Sequence, residues 1–338
     1  MSDLDLPAPD LDLSAYAGSR CLITGGLGFI GSNLAVRLHR AGARVTVVDS
    51  LVPRHGGNRR NLDGTPVEVV VADIGNATAV SEAAAPADYV FNLAGQISHV
   101  DSMEDPITDL DLNTRSHLAF LELLRRVNPD APVVYASTRQ VYGKPQYLPV
   151  DEDHPVRAAD VNGISKYASE QFHLLYARAF GLRTCALRIT NVYGPRQRLL
   201  GDHQAFVAVF LRHALEDQAM TVYGEGQQER DLLHVDDVVD AFLLAARNEE
   251  ALAGEVFNLS HDEALTVRRV AETIVAAAGS GSVESMPWPP ERARIDIGSY
   301  RGTSAKAKRV LGWSPRVGFE GGMADTVAYY KPRLDWYL

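Results

Sequence analysis

The residues of this 338-residue chain whose types and spacing most directly imply chemistry lie between Thr24 and Asp73. The run Thr24-Gly25-Gly26-Leu27-Gly28-Phe29-Ile30-Gly31 follows a short apolar stretch and precedes one that suits a helix. Glycines are needed where a chain turns sharply and where backbone must approach a diphosphate, and the helix that follows offers free N–H groups and a positive dipole end. Gly25, Gly28, Phe29, Ile30 and Gly31 are therefore the expected diphosphate-binding positions. Asp49 closes the next apolar run, VTVVD, 18 residues beyond Gly31. A carboxylate at that place accepts from an adenosine ribose and repels a 2′-phosphate, so the expected cofactor is NAD rather than NADP. Asp73, with Ile74 beside it, ends the run VVVAD and is either a partner for the adenine amino group or a plain turn or cap.

Such a turn needs a strand before it and a helix after it, and the surrounding sequence supplies both repeatedly. CLIT, VTVVD, VEVVVAD, YVFNLAG, VVYAS and TCALRI alternate with helical stretches across Asn33–Ala41, Thr114–Val127 and Ser165–Phe180. That rhythm predicts an α/β fold, a Rossmann-type doubly wound parallel sheet, and its fading after Tyr193-Gly194-Pro195 predicts a smaller C-terminal lobe. Residues 1–18, with Asp3, Asp5, Asp10 and Asp12 among prolines, read as a flexible acidic arm. Residues 19–190 plus about 229–259 are assigned to the NAD-binding domain. Residues 191–228 plus about 260–338 are assigned to the smaller lobe, its last 80 or so residues helical with loops.

Composition narrows the function classes. A formal net charge of −10 argues against a basic face for nucleic acid. No stretch approaches the roughly 18 apolar residues of a membrane span, and no basic, apolar leader is visible at the N-terminus, so a cytoplasmic protein is expected. Two cysteines, Cys21 and Cys185, supply neither a disulfide framework nor a metal cluster, and no metal is expected.

TGGLGFIGSN, NLAGQISHVDSMEDP, YASTRQVYG, NGISKYASE, LRITNVYGPRQR, YGEGQQERDLLHVDDVVDAF and KRVLGWSP together resemble the extended short-chain dehydrogenase/reductase family, the nucleotide-sugar epimerases and dehydratases. The resemblance implies bound NAD, a nucleotide-diphosphate sugar held between two lobes, and a homodimer joined through two helices of each subunit. It also implies a catalytic hydroxyl at Thr138 and a catalytic lysine at Lys166. The position of the family's tyrosine base is Asn162, whose amide has no useful basicity near neutral pH. Groups considered as replacements are His99, Asp101, Tyr142, His154 and Asp160. Family dehydratases carry an acidic pair after the threonine, whereas here Arg139-Gln140 follows it.

An epimerase is therefore preferred, acting by transient oxidation to a keto-sugar and return of hydride. The alternatives are a dehydratase, decarboxylase or oxidoreductase of the same fold, or a binding module without turnover. On the substrate side the resemblance places Asn191, Arg230 and Arg292 or Arg294, and His99 is assigned there as well, while Arg139 suits either an anionic group of the substrate such as a carboxylate or a surface ion pair.

Overall fold

The computed structural model describes residues 11–53, 57–201, 205–289 and 297–338. Six strands run in chain order through the first part: β1 (Arg20–Thr24), β2 (Arg44–Asp49), β3 (Glu68–Val71), β4 (Tyr89–Asn92), β5 (Val133–Thr138) and β6 (Thr184–Ile189). They are followed by β7 (Asn191–Tyr193), β8 (Ala219–Tyr223), β9 (Glu229–His234), β10 (Ala253–Leu259), β11 (Ala264–Thr266) and β12 (Ser282–Met286). The main sheet has seven strands in the order β10-β6-β5-β4-β1-β2-β3, and every neighbouring pair is parallel. Two small sheets, β11-β9-β7 and β12-β8, accompany it.

Parallel neighbours need crossovers, and the helices that make them cover both faces. On one face α1 (Phe29–Arg40) packs with a later helix, Val235–Ala245, through Leu34, Leu38, Val238 and Phe242. On the other, Ala77–Ala84, Ser116–Val127 and Val161–Phe180 bury Val80, Phe120, Leu121, Leu124 and Tyr176. A separate core joins Phe210, Met220, Val222, Ile274, Met323 and Tyr330 around the smaller sheets.

The chain order reverses between β1 and β4, which opens a crevice at their C-terminal ends, the usual ligand position in such sheets. Thr24 and Asn92 fix this point: the Thr24 hydroxyl donates to Asn92 Oδ1 at 2.7 Å and accepts from the Leu93 and Ala94 amides at 3.1 Å.

Two expectations are corrected. Residues 1–10 of the acidic arm lie outside the described residues, but residues 11–18 are not a free arm. Tyr16 is fully buried and its hydroxyl donates to the Leu243 carbonyl at 2.6 Å, because one large ring outweighs the local acidity once a helix 227 residues away offers it a pocket. The last 80 or so residues, expected to be helical with loops, also contain β11 and β12, runs too short to show a clear period of two. Among the described residues no helix is long and apolar enough to cross a membrane.

Candidate active site

The glycine turn has the geometry its sequence requires. Gly25 has φ +66°, and a side chain there would meet the Leu93 carbonyl at 2.7 Å. A Cβ on Gly31 would lie 2.4 Å from the Gly25 carbonyl, so α1 sits closer to the turn than any other residue allows. Gly28 is the N-cap of α1, and no side chain caps it or adds negative charge to the first turn. The first N–H groups, including those of Phe29 and Ile30, have no partner within the helix, which is what a diphosphate requires.

Asp49 ends β2 with its carboxylate half-buried, accepting from the Leu27 amide at 3.1 Å and the Leu51 amide at 2.9 Å. Burial raises its pKa against those two hydrogen bonds. The carboxylate is thereby oriented toward the turn. Asp73 Oδ1 accepts from the Gly75 amide at 2.7 Å and the Ser116 hydroxyl at 2.9 Å, which anchors a turn, and neighbouring Ile74 is core. Arg292 and Arg294 lie outside the described residues.

Three elements bring the redox candidates together. Thr138 ends β5, where its hydroxyl accepts from the Gln140 amide at 3.2 Å and keeps its own proton to donate. Lys166 and Asn162 lie one turn apart on Val161–Phe180, hereafter the site helix, and both are buried. Burial pushes the Lys166 ammonium down to about 8, opposed by the charge of Asp109. Its Nζ lies 5.8 Å from the centre of the Tyr135 ring. Gly95, at φ +130°, admits it, since a Cβ there would come within 3.0 Å of Nζ.

Asn162 does not stand free in the crevice. Its amide donates to the Gln96 carbonyl and to Asp109 Oδ2, both at 3.0 Å. Asp109 Oδ2 also accepts from Asn113 at 3.0 Å and from the Gln96 amide, and Asp109 is itself buried. Sequence reasoning missed Gln96, Asp109 and Asn113. For Asp109 the signal was the run Asp105-Pro106-Ile107-Thr108-Asp109, which reads equally well as a solvated helix.

On the outer side, His99 Nδ1 is paired with Asp160 Oδ2. Asp160 is the N-cap of the site helix and its Oδ1 accepts from the Gly163 amide at 2.7 Å. Burial would raise the Asp160 carboxyl, but the His99 hydrogen bond and charge, the helix amide and Arg139 together hold it below its ordinary value. Arg139 lies 4.8 Å over the Tyr300 ring and donates to Asn191 Oδ1 at 3.5 Å. Asn191 in turn donates to the Asp231 carbonyl at 3.4 Å. Arg139 and Asn191 are thus brought together. Arg230 donates to the carbonyls of Glu229 at 2.8 Å and Gly298 at 2.6 Å, fastening the segment after residue 296.

Two of the five replacement bases are closed off. The Tyr142 hydroxyl donates to Asn258 and accepts from Arg188, each at 2.7 Å, and burial pushes it up to about 12. His154 is buried with both nitrogens engaged, Nε2 by the Gln146 amide and Nδ1 by the Pro155 carbonyl, each at 2.9 Å. Asp101 lies in the first turn of His99–Glu104, and its amide is capped by the Ser98 hydroxyl at 3.1 Å.

Residues 21–260 match the model of the NAD dependent epimerase/dehydratase family. The UDP-glucose 4-epimerase of Mycolicibacterium smegmatis is 33% identical over 314 residues, 92% of this chain and 98% of that protein. UDP-glucuronic acid decarboxylase 1 of Danio rerio is 32% identical over 336 residues, 96% of this chain and 75% of that protein. Among solved structures, the UDP-glucose 4-epimerase of Thermotoga maritima, determined with UDP-glucose, superposes with a TM-score of 0.84 at 31% identity, covering 93% of this chain and 99% of that one.

Proposed function

Because this chain belongs to the NAD dependent epimerase/dehydratase family, we propose that it is a nucleotide-sugar epimerase that oxidises a sugar hydroxyl transiently and reduces the resulting ketone on its other face. NAD is its cofactor, supplying a two-electron acceptor and donor with no net consumption. The turn at Gly25–Gly31 with the amides of Phe29 and Ile30 would hold the diphosphate, and Asp49 the adenosine ribose. Thr138 donates a hydrogen bond to the reacting sugar oxygen. The buried Lys166 ammonium favours negative charge developing on that oxygen, because Coulomb energies grow in a low-dielectric site. Arg139 with Asn191, and Arg230, bind the nucleotide-sugar substrate from the other side. The NAD-binding domain and the smaller lobe divide near residue 190.

One observation carries the choice of epimerisation: the two residues after Thr138 are Arg139 and Gln140. Elimination of water needs a proton donor and a proton acceptor there, and neither a guanidinium nor a primary amide exchanges protons at neutral pH. Epimerisation asks for one base only. A homodimer is supported by exposed apolar side chains on the loop and short helices after β4 and on the site helix: Ile97, Val100, Met103, Ile107, Leu110 and Ile164.

Native protein incubated with NAD and a panel of nucleotide-diphosphate sugars, its products resolved by chromatography and mass, tests the reading. A product of unchanged mass and altered retention is the expected result. Loss of water or of carbon dioxide would make it a dehydratase or a decarboxylase, and every sugar returned intact would make it a binding protein.

A further inference from the structure

An epimerase with Asn162 in place of a phenol must take its base from elsewhere, and a histidine–carboxylate pair of the right form stands beside Asn162. We propose that His99, oriented by Asp160, is the general base of this site. The inference rests on the epimerase reading and adds to it the identity of the proton acceptor.

The two residues are 61 positions apart in sequence and meet only because the short helix after β4 begins beside the N-terminus of the site helix. Asp160 is fixed twice over, by His99 on Oδ2 and by the Gly163 amide on Oδ1. A carboxylate bound to Nδ1 holds the proton on that nitrogen and leaves Nε2 with its lone pair, the arrangement by which a carboxylate orients a histidine base in hydrolytic triads. The His99 side chain is 53% exposed, whereas the Asp160 side chain that holds its Nδ1 is only 11% exposed.

The neighbours place the pair on the segments that flank the residues assigned to the redox chemistry. Asp160 lies two residues before Asn162. The same stretch that leads into His99 contributes Gly95, against which Lys166 packs, and Gln96, whose carbonyl holds Asn162. A Cβ on Gly163 would lie 3.1 Å from the Gln140 carbonyl, so the first turn of the site helix rests on the residues just after Thr138. The other charged groups around the pair are Arg139, whose field reaches Asp160, and Asp101 on the helix that His99 begins. Tyr142 and His154 are both locked into other hydrogen bonds.

The step balances simply. The O–H bond of the sugar breaks and its proton passes to His99 Nε2, while the hydrogen on the same carbon leaves with two electrons for the oxidised nicotinamide and a C=O bond forms. On return the imidazolium gives the same proton back to the oxygen. Asp160 is a positioning residue and stays ionised throughout.

The test compares wild type, His99→Gln, Asp160→Asn and the double variant His99→Gln/Asn162→Tyr. Asparagine is as good an N-cap as aspartate, so Asp160→Asn keeps the helix start. His99→Gln should lower kcat by about 10²–10⁴-fold, the usual contribution of a general base, with the dissociation constant for NAD within about twofold of wild type. The double variant should recover at least tenfold of that loss, because the phenol returns a base beside Lys166. Independently of turnover, ¹⁵N–¹H spectra of cofactor-free protein with labelled imidazoles should show the resonance that vanishes in His99→Gln as the Nδ1-protonated tautomer at pH 8, and Asp160→Asn should shift that tautomer balance. Wild-type turnover with undiminished kcat in His99→Gln would overturn the dyad and leave the epimerase standing. The Nε2-protonated tautomer in wild type would overturn it as well. Failure of wild type to convert any sugar would overturn the epimerase reading and the base with it.

Discussion

Asn162 donates its side-chain amide to the buried carboxylate of Asp109 across 3.0 Å, so the residue standing where relatives of this fold carry a phenol is built into a hydrogen-bonded support under the site. Replacing it with alanine removes one of three donors to Asp109 Oδ2. We expect Asn162→Ala to cost about 1–3 kcal/mol, the range for leaving a buried polar group short of a partner, read from urea unfolding followed by tryptophan fluorescence. Unchanged stability would show that the Asn162–Asp109 contact is not formed in solution.

Lys166 gives the protein a pH dependence of definite sign. Its ammonium is pushed down to about 8 by burial, while in the unfolded chain it titrates near its ordinary 10.5. Between those values the unfolded chain holds a proton that the folded protein has released, so this contribution to stability rises with pH across the window and the full penalty applies below pH 8. Lys166→Met should therefore be more stable than wild type at pH 7 by roughly a few kcal/mol, and the gap should close by about pH 10.5. The same variant should lose turnover. Parallel unfolding curves for the two proteins at pH 7 and pH 10 decide the matter, because every other titrating group is common to both.

Asp49→Ala should weaken NAD binding and relax discrimination against NADP, since the carboxylate both accepts from the ribose and repels a 2′-phosphate. A loss of about tenfold or more in NAD affinity, from about 1.4 kcal/mol of lost hydrogen bonding, is expected by calorimetry. Equal affinities for both cofactors in wild type and variant would remove Asp49 from the ribose site.

Arg139 stacks on Tyr300 and reaches Asn191 from a rigid position at the end of β5. If it binds the substrate, Arg139→Gln should raise KM for the nucleotide sugar about tenfold while leaving kcat within a few-fold, the signature of uniform binding. A fall in kcat at constant KM would move Arg139 from holding the substrate to stabilising the transition state.

Much of the fold was legible because it rests on local rules. Runs such as VTVVD and TCALRI have the β-branched content of buried parallel strands, and Gly25, Gly28 and Gly31 are spaced for a turn that tolerates no side chain. The candidate site was half legible for a related reason. Thr138 and Lys166 each sit at a fixed place in an element, at the end of a strand and one turn beyond a helix start, so their positions follow once the element is identified. Asp109 and Asp160 do not work that way. Asp109 lies in a short helix and Asp160 caps a long one, and what separates a buried support or an oriented pair from a solvated cap is which distant segment packs over it. Tyr16 was misread by the same logic, since four aspartates and two prolines before it outweighed one ring until Leu243 was seen to receive it.

The seventh strand of the main sheet has a consequence for how the protein is made. β10 arrives only after β7, β8 and β9 have been laid down elsewhere, yet it pairs with β6, every residue of which is buried in the finished molecule. While the ribosome is still short of residue 259, β6 is an unprotected and mostly apolar edge, broken only by Thr184 and Arg188, the kind of surface on which nascent chains associate with one another. The first six strands thus cannot be harvested as an independent soluble unit, and truncation near residue 190 should yield aggregate rather than a minimal dinucleotide-binding fragment.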